Sequence, residues 1–229
     1  MKAIIISIAA IIFFSSSLLL AQANKNYDGP KPEVYQGSQA FVFQYTPFQS
    51  NLEPVYVGTV SIPGQTLSSM DLFGAGYQYY FTNQIAVVFG FSYGTASSTL
   101  EDDNGKTEMS ETVFGIAVDA NYHLHSLYSV SPYVGLRANY GLYSGSDEFT
   151  PDGGSKVTTD YSGNGFGIAV QCGFDWYFTE GLSLGGKYAL GFQSLGSPEV
   201  TDETNTTVEG PSSTFFGVSA FSVILNVHI

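Results

Sequence analysis

A period of two runs through most of this chain, and a period of two confines a chain to extended strands with two unlike faces. Between Gly165 and Phe178 the residues Phe166, Ile168, Val170, Cys172, Phe174, Trp176 and Phe178 are apolar or soft. Their alternates Gly165, Gly167, Ala169, Gln171, Gly173 and Asp175 are small or polar. The same contrast sets Ile85, Val87, Phe89, Phe91 and Tyr93 against Ala86, Val88, Gly90, Ser92 and Gly94. It recurs in Phe114–Tyr122, Val134–Leu142 and Leu182–Phe192.

The pattern predicts eight strands, over 38–48, 70–81, 85–96, 112–122, 132–144, 163–178, 182–194 and 213–229. Many exceed the five or six residues common in soluble domains and approach the roughly nine to eleven tilted residues that cross a bilayer. Tight breaks at 82–84 and 179–181 and a moderate one at 123–131 alternate with long connections at 49–69, 97–111, 145–162 and 195–212. With an even strand number, the long connections share one end of the sheet and the short turns the other. The long connections hold most of the acids, among them Glu101-Asp102-Asp103, Asp147-Glu148 and Asp202-Glu203.

Which face meets which solvent follows from the charges. A soluble, lipocalin-like binding barrel would point the large set inward and show water a surface of Gly, Ala, Ser and Val, too poor in charge to stay dispersed. Eight strands also enclose too little room for dozens of large side chains. The opposite assignment places large residues against lipid and small or polar ones in the lumen. The four charges within strand centres, Asp119, Arg137, Asp175 and Lys187, all belong to the small set. On a lipid face a Lys or Arg at mid-bilayer costs about 2–4 kcal/mol. The sequence therefore describes an all-β, eight-stranded, antiparallel up-and-down transmembrane barrel, closed because lipid cannot satisfy an open sheet edge.

Composition agrees. Charged residues are only 12% of the chain, aromatic residues reach 15%, and seven Lys+Arg stand against twenty Asp+Glu. So acidic a chain, with no basic stripe, repels nucleic acid. Met1-Lys2, the apolar run Ala3–Leu20 and Ala21-Gln22-Ala23 read as a signal peptide over 1–23, cleaved near Ala23. Residues 24–36 read as an irregular periplasmic leader at the short-turn end, and 37–229 as the barrel domain. The single Cys172 excludes an internal disulfide and takes the lipid-facing parity.

Two stretches mirror each other across the tight turns: YYFTNQIAV from Tyr79 and WYFTEGLSL from Trp176. Tyr79, Phe81, Trp176 and Phe178 stand where strands leave the hydrocarbon, the place of an aromatic girdle. With the alternating final stretch STFFGVSAFSVILNVHI, these motifs resemble the eight-stranded outer-membrane β-barrel superfamily of Gram-negative bacteria, which includes the OmpA membrane domain, OmpX and OmpW, over about residues 38–229. The resemblance implies a bacterial outer-membrane location, with lipid and lipopolysaccharide around the barrel and acidic loops outside that could meet an extracellular ligand. It also implies insertion by the barrel-assembly machinery. Members usually end on an aromatic residue which that machinery reads, whereas this chain alternates through Phe221, Val223, Leu225 and Val227 and finishes in Ile229. No peptidoglycan-binding domain follows the barrel, so no cell-wall tether is expected.

The polar lumen residues Asp119, Arg137, Asp175, Lys187, Gln171 and Asn139 are the candidate site. Asp119 should face Arg137 on neighbouring strands, and Asp175 and Lys187 should lie about one diagonal apart across the turn at 180. A structural network filling a narrow lumen is weighed against a passive channel for small or hydrophobic solutes, as OmpW resemblance implies. Leu100–Glu111 (LEDDNGKTEMSE) places Asp102, Asn104, Gly105 and Glu111 at EF-hand spacing, but Leu100 occupies the first ligand position and the flanks are strands, so no metal site is assigned. His123, His125 and Ser126 lack a nucleophile elbow and an orienting third group, and His228, facing the lumen, has no evident catalytic partner, so no catalytic residues and no cofactor are expected.

Overall fold

The computed structural model describes residues 28–49, 70–102, 105–201, 206–218 and 221–229. The signal peptide expected over 1–23 and most of the 49–69 connection lie outside the described residues.

Long strands dominate: β1 (Gln39–Gln49), β2 (Met70–Tyr80), β3 (Ile85–Asp102), β4 (Gly105–His123), β5 (Val130–Pro151), β6 (Val157–Thr179) and β7 (Leu182–Leu195). Two three-residue strands follow, β8 (Glu199–Thr201) and β9 (Thr207–Glu209), then β10 (Ser213–Val218) and β11 (Ser222–His228). Each of β1 to β6 pairs antiparallel with the next. β10 and β11 both run along β7 and together form the eighth stave, and β11 also pairs with β1, from Ala40 opposite His228 to Tyr45 opposite Val223. The ring is closed: an eight-stranded, antiparallel, up-and-down barrel, as the alternation predicted.

The parity of the charges holds throughout. Phe89, Phe91, Phe114, Ile116, Leu136, Ile168, Val170, Leu190 and Leu225 point outward and are exposed, while Asp119, Asn121, Gln171, Asp175, Lys187 and Asn226 are buried inside. A water-soluble protein inverts this arrangement, so the exposed apolar band identifies hydrocarbon as its solvent. At the long-strand end the outward-facing band stops at Tyr93, Phe114, Leu142 and Phe166, with Thr95, Thr112, Ser144 and Asn164 the next outward residues on the same strands.

At the short-turn end, Thr82 Oγ1 accepts from the Ile85 amide at 2.9 Å and closes the first turn. The second needs Gly181, whose φ of +76° suits a residue without Cβ. The leader crosses beneath both turns: the Gln36 amide donates to Asn83 Oδ1 and the Gly181 amide to Glu33 Oε1, each at 2.9 Å. Residues 33–36 are thereby tied to both short turns.

The other end departs from expectation. The connections at 97–111 and 145–162 are largely strand: β3 and β4 stay paired as far as Asp102 opposite Gly105, and β5 and β6 as far as Phe149 opposite Val157. In the 195–212 connection, β8 and β9 form a small hairpin laid against β6. Both faces of these extensions leave the membrane, so their sequence loses the apolar–polar contrast while the backbone ladder continues. Their Ser and Thr residues still suit an extended chain. A small core fills the extended end, with Val113, Tyr143 and Tyr161 packed together and flanked by Ala96 and Val200.

Candidate functional site in the barrel interior

Four strands supply the central cluster. Asp119 and Arg137 are direct cross-strand partners on β4 and β5, and the guanidinium Nε stands 3.7 Å from Asp119 Oδ1. Lys187 reaches from β7 across the interior to Asp119, with Nζ 3.0 Å from Oδ2. One carboxylate therefore lies between two cations. Asp175 sits diagonally from Lys187, two positions along the β6–β7 ladder, and Asn226 Nδ2 donates to its Oδ1 at 3.0 Å. Sequence reasoning found the Asp119–Arg137 register and the Asp175–Lys187 diagonal. It did not find that Lys187 turns to Asp119 and that Asn226 holds Asp175. Parity assigns a side chain to the lumen but leaves open which strand it reaches across to.

Gln171 Nε2 donates to Asn121 Oδ1 at 2.6 Å, bracing β6 against β4. Asn139 is buried on the inner wall of β5, opposite Ala117 and Gly167. Both cations thus face Asp119, and Asp175 is held by Asn226. A buried charge is tolerated only when it is paired and its remaining lone pairs and protons are bonded.

A second layer lies toward the short turns, formed by residues that the alternation placed inside without marking them. Tyr80 and His123 approach at 3.2 Å between the hydroxyl and Nε2, and His123 Nδ1 meets Ser131 Oγ at 2.9 Å. The His123 ring also stacks obliquely on Tyr80 and Tyr133. Beside them Tyr177 stacks on His228, and Asn226 Nδ2 donates to Ser183 Oγ at 3.0 Å. Tyr80, Ser131 and Ser183 are 0% exposed. His125 and Ser126 make no part of this layer among the described contacts. The signal that could have found it was the presence of large polar residues, Tyr133 and Tyr177, within an otherwise small set.

Little space remains. The interior cavity, bounded by Asp119, Arg137, Lys187, Asp175 and Asn226 on one side and by Gly74, Gly76 and Gly90 on the other, leaves about 50 Å³ for the centres of water molecules. A water needs roughly 10–15 Å³ on this measure, so this cavity holds a few.

The four girdle aromatics face outward beside the short turns. Phe81, Trp176 and Phe178 are exposed and Tyr79 is partly so, with the Tyr79 and Phe81 rings 4.9 Å apart and those of Trp176 and Phe178 5.9 Å apart. Cys172 is exposed on the same outer face. Among the described residues no group of three His, Cys, Asp or Glu side chains could hold a metal ion. Asn104, in the stretch with EF-hand spacing, lies outside the described residues.

Comparison with known proteins bears on the same geometry. The family model described as outer membrane protein beta-barrel domain matches residues 7–219. A major outer membrane protein from Thermus thermophilus superposes with a TM-score of 0.55 at 12% identity, covering 85% of this chain and 100% of that one. OprG from Pseudomonas aeruginosa superposes with a TM-score of 0.52 at 12% identity, covering 85% and 97%. At such identities the likeness is one of fold. No curated protein matches the chain in sequence.

Proposed function

Since the chain belongs to the outer membrane protein β-barrel domain family and resides in the bacterial outer membrane, we propose that it acts as a closed structural barrel, presenting long hairpins to the outside. Outer-membrane barrels place short turns in the periplasm and long connections outside. On that rule the β3–β6 extensions and the β8–β9 hairpin are the outward surface, where an extracellular ligand would be met. The observation that carries this reading is the small interior cavity beside the charged cluster, which holds a few waters.

The interior polar cluster then serves to neutralise and brace. Asp119, Arg137, Lys187, Asp175, Gln171 and Asn139 knit the staves together, and Tyr79, Phe81, Trp176 and Phe178 hold the periplasmic edge of the band in the headgroup layer. Lipid and lipopolysaccharide surround the band, and insertion would use the barrel-assembly machinery despite the terminal Ile229. Catalysis draws no support from the geometry: the Ser131–His123 pair is sealed from any substrate carbonyl, with Ser131 0% exposed.

A second reading has one observation behind it. Gly74, Gly76 and Gly90 leave one wall of the interior bare beside the charged cluster, and a small rearrangement there would open a narrow passage. Planar-bilayer recording separates the two. Purified barrel that adds no steady current supports the closed scaffold, and stepwise conductance abolished by Gly90→Leu, where a Cβ meets only ordinary contact, would replace it with a passive channel.

A further inference from the structure

A second hollow lies on the outside of the molecule. About 460 Å³ in volume and open to the outside, it is lined by Thr112, Phe114, Leu142, Ser144, Ser162, Asn164 and Glu199 among others. Its floor is built in two register rows. In the lower row Phe114 pairs with Leu142 and Leu142 with Asn164. In the upper row Thr112 pairs with Ser144, Ser144 with Ser162, and Ser162 with Glu199.

The wall arises from a change of partner. β7 leaves β6 at Leu195 opposite Gly165, and β8 takes up β6 again at Glu199 opposite Ser162. The intervening step is pinned by the Gly196 amide, which donates to the Asn164 carbonyl at 2.9 Å. Gly196 and Ser197 thus stand beside the two rows as a ridge.

The geometry points to a binding site for a membrane lipid with an uncharged sugar headgroup. The hollow is continuous with the membrane surface, because Phe114 and Leu142 are the last members of the lipid-facing band on their strands. An acyl chain lying against that band would bring its headgroup onto the upper row. Four strands at about 4.8 Å spacing spread that row over roughly 14 Å, the scale of one or two sugar rings. Three hydroxyls, a carboxamide and a carboxylate can both donate to and accept from sugar hydroxyls. Among the described residues no Lys or Arg lines the hollow. Glu199 therefore disfavours a bare phosphate, while a carboxylate accepts strongly from a hydroxyl. The site depends only on where the membrane lies and stands whether or not the lumen conducts.

The test uses full-length mature barrel in nanodiscs containing equal amounts of diglucosyl diacylglycerol and phosphatidylglycerol with the same acyl chains. Lipid adducts retained on release are counted by native mass spectrometry. The expected result is retention of the glucosyl lipid over phosphatidylglycerol by about tenfold, the effect of one or two hydrogen bonds to a charged acceptor. Ser144→Trp, which fills the hollow from an exposed position, should abolish that preference, and Glu199→Gln should weaken it while leaving the shape intact. Both variants are first shown to be folded by heat-dependent gel migration. Equal retention of the two lipids, retention of neither, or a preference untouched by Ser144→Trp would each overturn the assignment.

Discussion

Lys187 of β7 donates to Asp119 of β4 at 3.0 Å, joining residues 68 apart in sequence across the inside of the barrel. Arg137 approaches the same carboxylate from the neighbouring strand. Asp119 is the shared member, so the three substitutions should not be equivalent. Asp119→Ala leaves two cations facing each other in a narrow interior and should cost about 3–5 kcal/mol. Lys187→Met and Arg137→Met each leave Asp119 one cation and should cost less. Urea unfolding in lipid vesicles gives the order, and equal losses for all three would remove the cluster as a unit.

The two faces can be tested at adjacent positions. Val170 lies in the lipid band and Ala169 in the wall of the lumen. Val170→Lys should cost about 2–4 kcal/mol of folding into bilayers, whereas Ala169→Ser should change little. Folding yield, read as the fraction that migrates differently before and after boiling, reports both.

A pH dependence resides in the extended end, beyond the band that stops at Phe114. Glu111 is 5% exposed there, and burial, with Asp147 adding to it, raises its carboxyl from 4.5 to about 7. Asp147 is itself raised by burial. The other titratable groups facing Glu111 are Tyr143 on β5 and Tyr161 on β6, both raised by burial and by the Glu111 charge. A raised carboxyl favours the folded end when protonated. Its contribution is therefore complete below about pH 4.5 and is lost as pH rises through about 7. The loss is on the order of 1–3 kcal/mol. Amide exchange of 106–113 and 143–163 should quicken over that interval, and Glu111→Gln should flatten the change.

Tyr161 lies over Gly145, and Tyr143 over Gly163, in reciprocal fashion. A Cβ at Gly145 would meet the Tyr161 ring and come within 2.6 Å of the Ser110 carbonyl oxygen. Gly145→Ala should therefore loosen the extended hairpins by about 1–3 kcal/mol. Proteolysis should begin near residues 145–162 while the membrane-embedded barrel keeps its heat-dependent migration.

The sequence carried the parts of this structure in which solvent differs from face to face. Strand number, closure, the parity of Asp119, Arg137, Asp175 and Lys187 and the Asp119–Arg137 register all follow from alternation and turn position. Alternation ceased to inform where the contrast vanished. Ser97, Ser110 and Ser146 carry strands β3 to β5 beyond the band, although nothing apolar alternates with them strongly enough to mark a face. The cross-lumen choices were hidden for another reason. Whether Lys187 turns to Asp175 or to Asp119 depends on the height of each stave around the ring, which only the assembled barrel fixes.

The seam between β1 and β11 has a consequence in time. Tyr45 finds Val223, and Ala40 finds His228, so the first stave waits for almost the whole of the polypeptide before its outer edge is covered. No partial product can be a barrel. Until then the chain is an open ribbon with one apolar side, and β11 is the latch that closes it.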